Sequence, residues 1–148
     1  DIKTKIIRIF NTYGPKMQLN DGRVVTNLIV QALNDEDLTI YGDGSQTRSF
    51  SYVSDTVAGI IAMMESNHYE VFNIGNPYEM TVKELAETIL KLTNSKSEII
   101  YKPLPNDDPQ QRRPDISKAK EKLNWEPKVD LETGLNTTIE WIKKELSK

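Results

Sequence analysis

Four arginines, Arg23, Arg48, Arg112 and Arg113, sit in or beside loops rather than on obvious solvated helix faces. A guanidinium carries a fixed fork of N–H donors that meets phosphate or carboxylate oxygens two at a time. Three such groups brought from distant loops into one cleft would clamp a diphosphate. Spacing along the chain does not say whether they converge. The plain alternatives are a solvated Arg48 on a surface hairpin, and surface ion pairs worth little for Arg23 and Arg113.

Other chemistry is easier to exclude. The seven glycines never form Gly-x-Gly-x-x-Gly, because Gly42 and Gly44 lack a third partner, and no Gly-x-x-x-x-Gly-Lys-Ser/Thr phosphate loop occurs. No tyrosine is followed four residues later by lysine; Tyr13 and Lys16 are three apart. There is no cysteine, hence no disulfide and no thiolate. The single histidine, His68, rules out multi-histidine zinc sites, and at an apparent helix end it reads as solvated or C-capping. Asp107-Asp108 and Glu36-Asp37 read as solvated loop carboxylates. No catalytic residue and no metal site is expected in this chain.

Composition fits these exclusions. The 148 residues suit one domain with a real core, and 37% hydrophobic with 28% charged residues is ordinary for a globular protein. A net charge of −3 creates no basic field for nucleic acid or an anionic membrane. No apolar run approaches the ~20 residues of a membrane span. No signal-peptide pattern is visible. A reducing, cytoplasmic setting is compatible with all of this. The chain starts at Asp1 and enters a strand almost at once, as a fragment or processed product would.

The elements that must position the arginines alternate between strand and helix. Residues 5–10 read as a strand that ends at Asn11-Thr12-Tyr13-Gly14-Pro15. Residues 23–33 read as a helix with Val25, Leu28, Ile29 and Ala32 on one face. In residues 38–55, Leu38, Ile40 and Tyr41 form a strand and Gly42-Asp43-Gly44 a turn that tolerates positive φ. Phe50, Tyr52 and Val53 continue as a second extended segment, and Ser54-Asp55 offer an N-cap. The helix that follows, to about residue 66, would face Val57, Ile60, Ile61 and Met64 inward, with Met63 and Met64 in the core. A strand at 70–74 stops at Gly75-Asn76-Pro77, and Thr81 with Glu84 forms a capping box. The helix after it would bury Val82, Leu85, Ala86 and Ile89. A strand at 97–101 leads into a proline-rich loop, 102–114, that cannot be a regular helix or central strand and is long enough to have a task. Helices at 117–123 and 131–146 complete the chain, the last using Leu131, Leu135, Ile139, Ile142 and Leu146.

Taken together, Asn11-Thr12-Tyr13-Gly14-Pro15, Asn20-Asp21-Gly22-Arg23-Val24-Val25, Gly42-Asp43-Gly44-Ser45-Gln46-Thr47-Arg48 and Tyr52-Val53-Ser54-Asp55 resemble the extended short-chain dehydrogenase/reductase family. Within it, Asn20-Asp21-Gly22-Arg23-Val24-Val25, Gly75-Asn76-Pro77, Asp107-Asp108-Pro109-Gln110-Gln111-Arg112-Arg113-Pro114-Asp115-Ile116 and Leu123-Asn124-Trp125-Glu126-Pro127 look most like the UDP-glucuronate decarboxylase branch. The resemblance spans nearly the whole chain but corresponds only to the C-terminal half of such an enzyme. It implies an α/β fold: residues 1–148 as a single nucleotide-sugar-binding lobe, plus the strands at 5–10 and 70–74 that belong to a Rossmann sheet. The glycine fingerprint, the catalytic Ser/Thr and the Tyr-x-x-x-Lys pair would lie in the other half. The intact enzyme would be a homodimer that uses NAD to oxidise C4 of UDP-glucuronate, lose CO2 from the β-keto acid and re-reduce the ketone, giving UDP-xylose. This chain alone would be inactive. A nucleotide-sugar 4,6-dehydratase or 4-epimerase, and a catalytically dead UDP-sugar-binding module, stay open.

The resemblance also implies roles. Asn11 would bind the nucleotide sugar near its phosphates. Thr39, Ile40 and Tyr41 would run beside the uracil, and Gln46 and Arg48 would hold ribose and phosphate. Arg112 would reach the diphosphate or the sugar carboxylate. Thr12, Gln18 and Arg23 would approach the cofactor, held mainly by the other half, or the cleft between cofactor and sugar. Without Rossmann neighbours, the strands at 5–10 and 70–74 would leave unpaired edges and favour self-association.

Overall fold

A computed structural model describes residues 3–104 and 111–148. The element order is β1 (Ile6–Ile9), β2 (Thr12–Tyr13), α1 (Val24–Leu33), β3 (Leu38–Tyr41), β4 (Thr47–Ser49), β5 (Ser51–Tyr52), α2 (Val53–Glu65), β6 (Val71–Ile74), β7 (Glu79–Thr81), α3 (Val82–Thr93), β8 (Ile99–Lys102), β9 (Gln111–Arg112), α4 (Ser117–Leu123) and α5 (Leu131–Leu146). The mixed α/β class is as the sequence implies.

Two apolar cores divide the molecule. In the larger, α1, α3 and α5 pack against β3 through Leu28, Ile29, Leu38, Ile40, Leu85, Ile89, Leu135 and Ile142, all essentially inaccessible to water. The faces expected of α1 and α3 are the buried ones. The Thr81 hydroxyl accepts from the Glu84 N–H at 3.1 Å, and the Glu84 carboxylate accepts from the Thr81 N–H at 2.7 Å, completing the capping box. Helices α3 and α4 end on Asn94 and Asn124, both in the left-handed conformation that closes a helix. The smaller core joins Met63, Phe72, Ile74, Ile116, Ala119 and Trp125 from α2, β6, α4 and the segment after α4.

Strands β1 and β6 pair in parallel, Ile6 opposite Val71 through Ile9 opposite Ile74. Among the described residues they form a sheet of their own. Ile6 and Ile9 are about half exposed, at 50% and 53%. Parallel sheets are normally covered on both faces. Strand β3 pairs in parallel with β8, and β4 is the centre of a three-stranded sheet between antiparallel β7 and parallel β9.

Several expectations need correction. The extended segment through Phe50 is not continuous: β4 ends at Ser49, and β5 pairs instead with β2. Helix α2 starts at Val53, with Tyr52 at the N-cap position and no side-chain cap, so Ser54 and Asp55 lie in its first turn. The Asp55 carboxylate is committed elsewhere, accepting from the Val129 N–H at 2.9 Å, while its carbonyl accepts from Trp125 Nε1 at 3.0 Å. The inward face of α2 is Asp55, Thr56, Gly59 and Met63, whereas Val57, Ile61 and Met64 are 47%, 47% and 69% exposed. The helix packs closely through small and polar residues, so its bulkier stripe points away. Leu146 is likewise exposed at the end of α5. The C-cap of α2 is Ser66, and His68 lies beyond it with Nδ1 3.7 Å from Glu70 Oε2. The proline-rich loop contributes the two-residue edge strand β9; residues 105–110, including Asp107 and Asp108, lie outside the described residues.

Candidate nucleotide-sugar site

The three-stranded sheet and the start of α1 enclose a cleft of about 280 Å³. Arg23, at the N-cap position of α1, Arg48 on β4 and Arg112 on β9 all line it, together with Asn11 and Thr12. Three cations separated by 25 and 64 residues in sequence (48 − 23 and 112 − 48) thus meet in one place. Register explains two of them. Arg48 and Arg112 are direct partners across β4 and β9 and so project from the same face. Arg48 is 8% exposed, and its Nη1 donates to the Thr47 carbonyl at 2.8 Å. Arg23 is held against Asp21, whose carboxylate accepts from the Arg23 N–H at 3.0 Å and lies 3.3 Å from Nε. Arg23 is thus paired with Asp21 and also lines the cleft. Arg113 instead faces Glu79 at 3.9 Å.

The first turn of α1 carries no acidic residue, so its positive end adds to the arginines. Two guanidinium forks side by side on neighbouring strands match an anion that carries two or more charges.

A second cleft of about 140 Å³ adjoins the first and shares Val24 and Arg48 with it. Thr39, Ile40, Tyr41 and Gln46 line this one. Gln46 is buried and donates from Nε2 to the Tyr41 carbonyl at 2.6 Å, so it closes the turn through Gly42 and Gly44. Both glycines adopt positive φ, +75° and +79°, as that turn requires. Gln31 holds Thr39, accepting from its N–H at 3.1 Å and donating to its hydroxyl at 3.2 Å. Ile40 is fully buried and forms the floor of this cleft.

The structure thus brings together Asn11, Thr12, Arg23, Arg48 and Arg112 in one cleft, and Thr39, Ile40, Tyr41 and Gln46 in its neighbour. Gln18 lines neither and is exposed. The Thr12 hydroxyl is engaged with the Phe10 carbonyl at 2.9 Å and the Thr56 hydroxyl at 3.0 Å. Sequence reasoning passed over the apolar walls: Tyr13, Met17, Val24, Val25, Phe50 and Val82. Val25 and Val82 read correctly as helix residues, but periodicity does not distinguish a core wall from a cleft wall. Tyr13 is buried, its phenol is pushed up by that burial and by nearby Tyr52, and it donates to the Leu131 carbonyl at 3.3 Å. It anchors β2, with Thr12 and the neighbouring Asn11, to the start of α5.

Among the described residues no helix is long and apolar enough to cross a membrane. No group of three or more His, Cys, Asp or Glu gathers as a metal site among them.

Comparison with known proteins gives this geometry a family. A GDP-mannose 4,6 dehydratase family model matches residues 1–138. The chain is 54% identical over 145 residues to UDP-glucuronic acid decarboxylase 1 from Danio rerio, covering 98% of this chain and 35% of that protein. It is similar in structure to UDP-glucose 4-epimerase with UDP-glucose from Thermotoga maritima, with a TM-score of 0.92, 38% identity, and coverage of 96% of this chain and 46% of that one. It is also similar to UDP-glucuronic acid 4-epimerase from Bacillus cereus in complex with UDP-glucuronic acid and NAD, with a TM-score of 0.90, 33% identity, and coverage of 97% and 46%. The chain therefore spans about a third to a half of the length of these relatives.

Proposed function

This chain belongs to the GDP-mannose 4,6 dehydratase family of extended short-chain dehydrogenases/reductases, and on that premise we propose that it forms the nucleotide-sugar-binding part of a UDP-glucuronate decarboxylase. The observation that carries this reading is the convergence of Arg23, Arg48 and Arg112 on one cleft. In it, Arg48 and Arg112 grip the diphosphate, with Arg23 and the α1 N-terminus adding positive potential. The strand backbone at Thr39 and Tyr41 flanks the uracil in the adjoining cleft. Asn11 meets the substrate at the junction of sugar and phosphate.

The reaction is oxidation at C4, loss of the carboxylate from the resulting β-keto acid, and re-reduction to UDP-xylose. NAD supplies the hydride acceptance and return in that chemistry. The residues of this chain do not make an NAD site by themselves. The glycine turn that cradles a dinucleotide is absent from the sequence, the Thr12 hydroxyl is already bonded to the Phe10 carbonyl and the Thr56 hydroxyl, and Gln18 stands outside both clefts. We therefore place the cofactor mainly against the rest of the protein, in a homodimer as the family resemblance implies. The role left to this chain is to fix the substrate's diphosphate and base so that C4 is presented in one orientation.

Identity of 54% to a decarboxylase, against 38% and 33% to the two 4-epimerases, favours the decarboxylase among these reactions. Incubating the whole protein with UDP-glucuronate and NAD tests this. UDP-xylose with stoichiometric CO2 is expected. UDP-galacturonate without CO2 would make it an epimerase, loss of water a dehydratase, and no turnover with UDP bound a binding module.

A further inference from the structure

We propose that Glu79 is a positioning residue for this cleft, clipping the edge strand β9 to β4 from the reverse face of the sheet and so setting where Arg112 enters. The inference rests on the diphosphate reading above. Strand β9 is only two residues long, both exposed, and pairs through Thr47 opposite Gln111 and Arg48 opposite Arg112. So short an edge pairing does not hold itself in water.

The alternation of strand side chains divides the sheet. Arg48 and Arg112 point into the cleft, while Thr47, Ser49, Glu79 and Gln111 share the other face. There the Glu79 carboxylate reaches across β4. Its Oε1 accepts from the Thr47 hydroxyl at 2.8 Å and from Gln111 Nε2 at 2.8 Å, and its Oε2 accepts from the same Gln111 nitrogen at 2.9 Å. Arg113 Nη1 lies 3.9 Å from Oε2. All three strands are therefore tied at one carboxylate. Hydrogen bonds from Gln111 and Thr47 hold that carboxyl below the usual glutamate range. The Ser49 hydroxyl adds a bond to the Arg112 carbonyl at 3.2 Å, a contact that depends on the same docking.

The test is calorimetric titration of the chain with UDP, for wild type, Glu79→Ala, Glu79→Gln, Arg112→Ala and the Glu79→Ala/Arg112→Ala double variant. Glu79→Ala should weaken UDP about tenfold, and Glu79→Gln, which keeps an acceptor for Thr47, by only about two- to threefold. In the Arg112→Ala background, Glu79→Ala should cause no further loss, because Glu79 acts through that arginine. Amide exchange gives a ligand-free readout: Glu79→Ala should speed exchange on β9 and leave β3 and β8 unchanged. An unchanged UDP affinity, an equal loss in both backgrounds, or unchanged exchange on β9 overturns the proposal. A folded wild type that takes up no UDP overturns the diphosphate reading and this inference with it, whereas binding that Glu79→Ala leaves intact overturns this inference alone.

Discussion

Arg48 and Arg112 illustrate what residue type reveals and what it does not. Their chemistry was legible as loop cations with a phosphate-matching fork. Their meeting was not, because it depends on a parallel pairing between β4 and β9 across 64 residues (112 − 48). Gln18 carried an expectation from motif position alone, and the structure leaves it exposed outside both clefts. The structural role of Tyr13 was not legible because the residues it packs against, Leu131 and Gly134, lie far along the chain. A Cβ at Gly134 would collide with the Tyr13 hydroxyl and would sit 2.9 Å from Tyr52 Cδ2. Gly134→Ala should therefore destabilise the chain by about 1–3 kcal/mol and displace β2 with the neighbouring Asn11, giving a lower melting temperature and weaker UDP binding. Adding Tyr13→Phe should recover part of the melting loss.

A second residue-scale outcome concerns pH. The hydrogen bond from Lys122 lowers the Glu70 carboxyl from 4.5 to about 2. A folded-state pKa below the unfolded one contributes stability that is present above pH 4.5 and is lost as pH falls toward 2. Denaturant unfolding should show stability declining through that window, and Lys122→Met should flatten the decline. An equal slope in the variant would remove the pair from the account.

Elements were most legible where one local signal sufficed. The Thr81–Glu84 capping box is complete, and Thr81→Ala should lower stability by about 1 kcal/mol, read as a shift in urea midpoint without a change in slope. Helix α2 shows the opposite case. Its apolar periodicity pointed to Val57, Ile61 and Met64, but close packing on β6 selects the stripe with the smallest residue. A Cβ at Gly59 would lie 2.8 Å from Ile74 Cγ2 and 3.0 Å from Trp125 Cε2. Neither neighbour can retreat, since Ile74 is fully buried and the Trp125 indole is bonded to the Asp55 carbonyl. Gly59→Ala should cost about 1–3 kcal/mol by overpacking, whereas Val57→Ala, on the exposed face, should change the melt little.

At the scale of the whole molecule, one core supports the arginine cleft and the other supports β1, β6 and the outward stripe of α2. Ile6, Ile9, Val57, Ile61 and Met64 leave that second region apolar and exposed, and among the described residues β1 pairs with β6 alone. The 148-residue chain should therefore self-associate, and Ile61→Glu with Met64→Lys should raise the monomer fraction in sedimentation velocity. A monodisperse monomer with one cooperative melt would contradict this. The expectation of strands belonging to a larger sheet was legible only through the family resemblance, because no local pattern says what a strand's absent neighbour is.

The central claim is that three arginines from separate elements make one diphosphate site. Calorimetric titration of the chain with UDP, for wild type and Arg48→Ala, tests it most directly. The account predicts saturable binding at millimolar UDP or tighter, weakened at least about tenfold in the variant, with circular dichroism unchanged. Equal heats from both proteins, or no uptake of UDP by a folded wild-type chain, would contradict it.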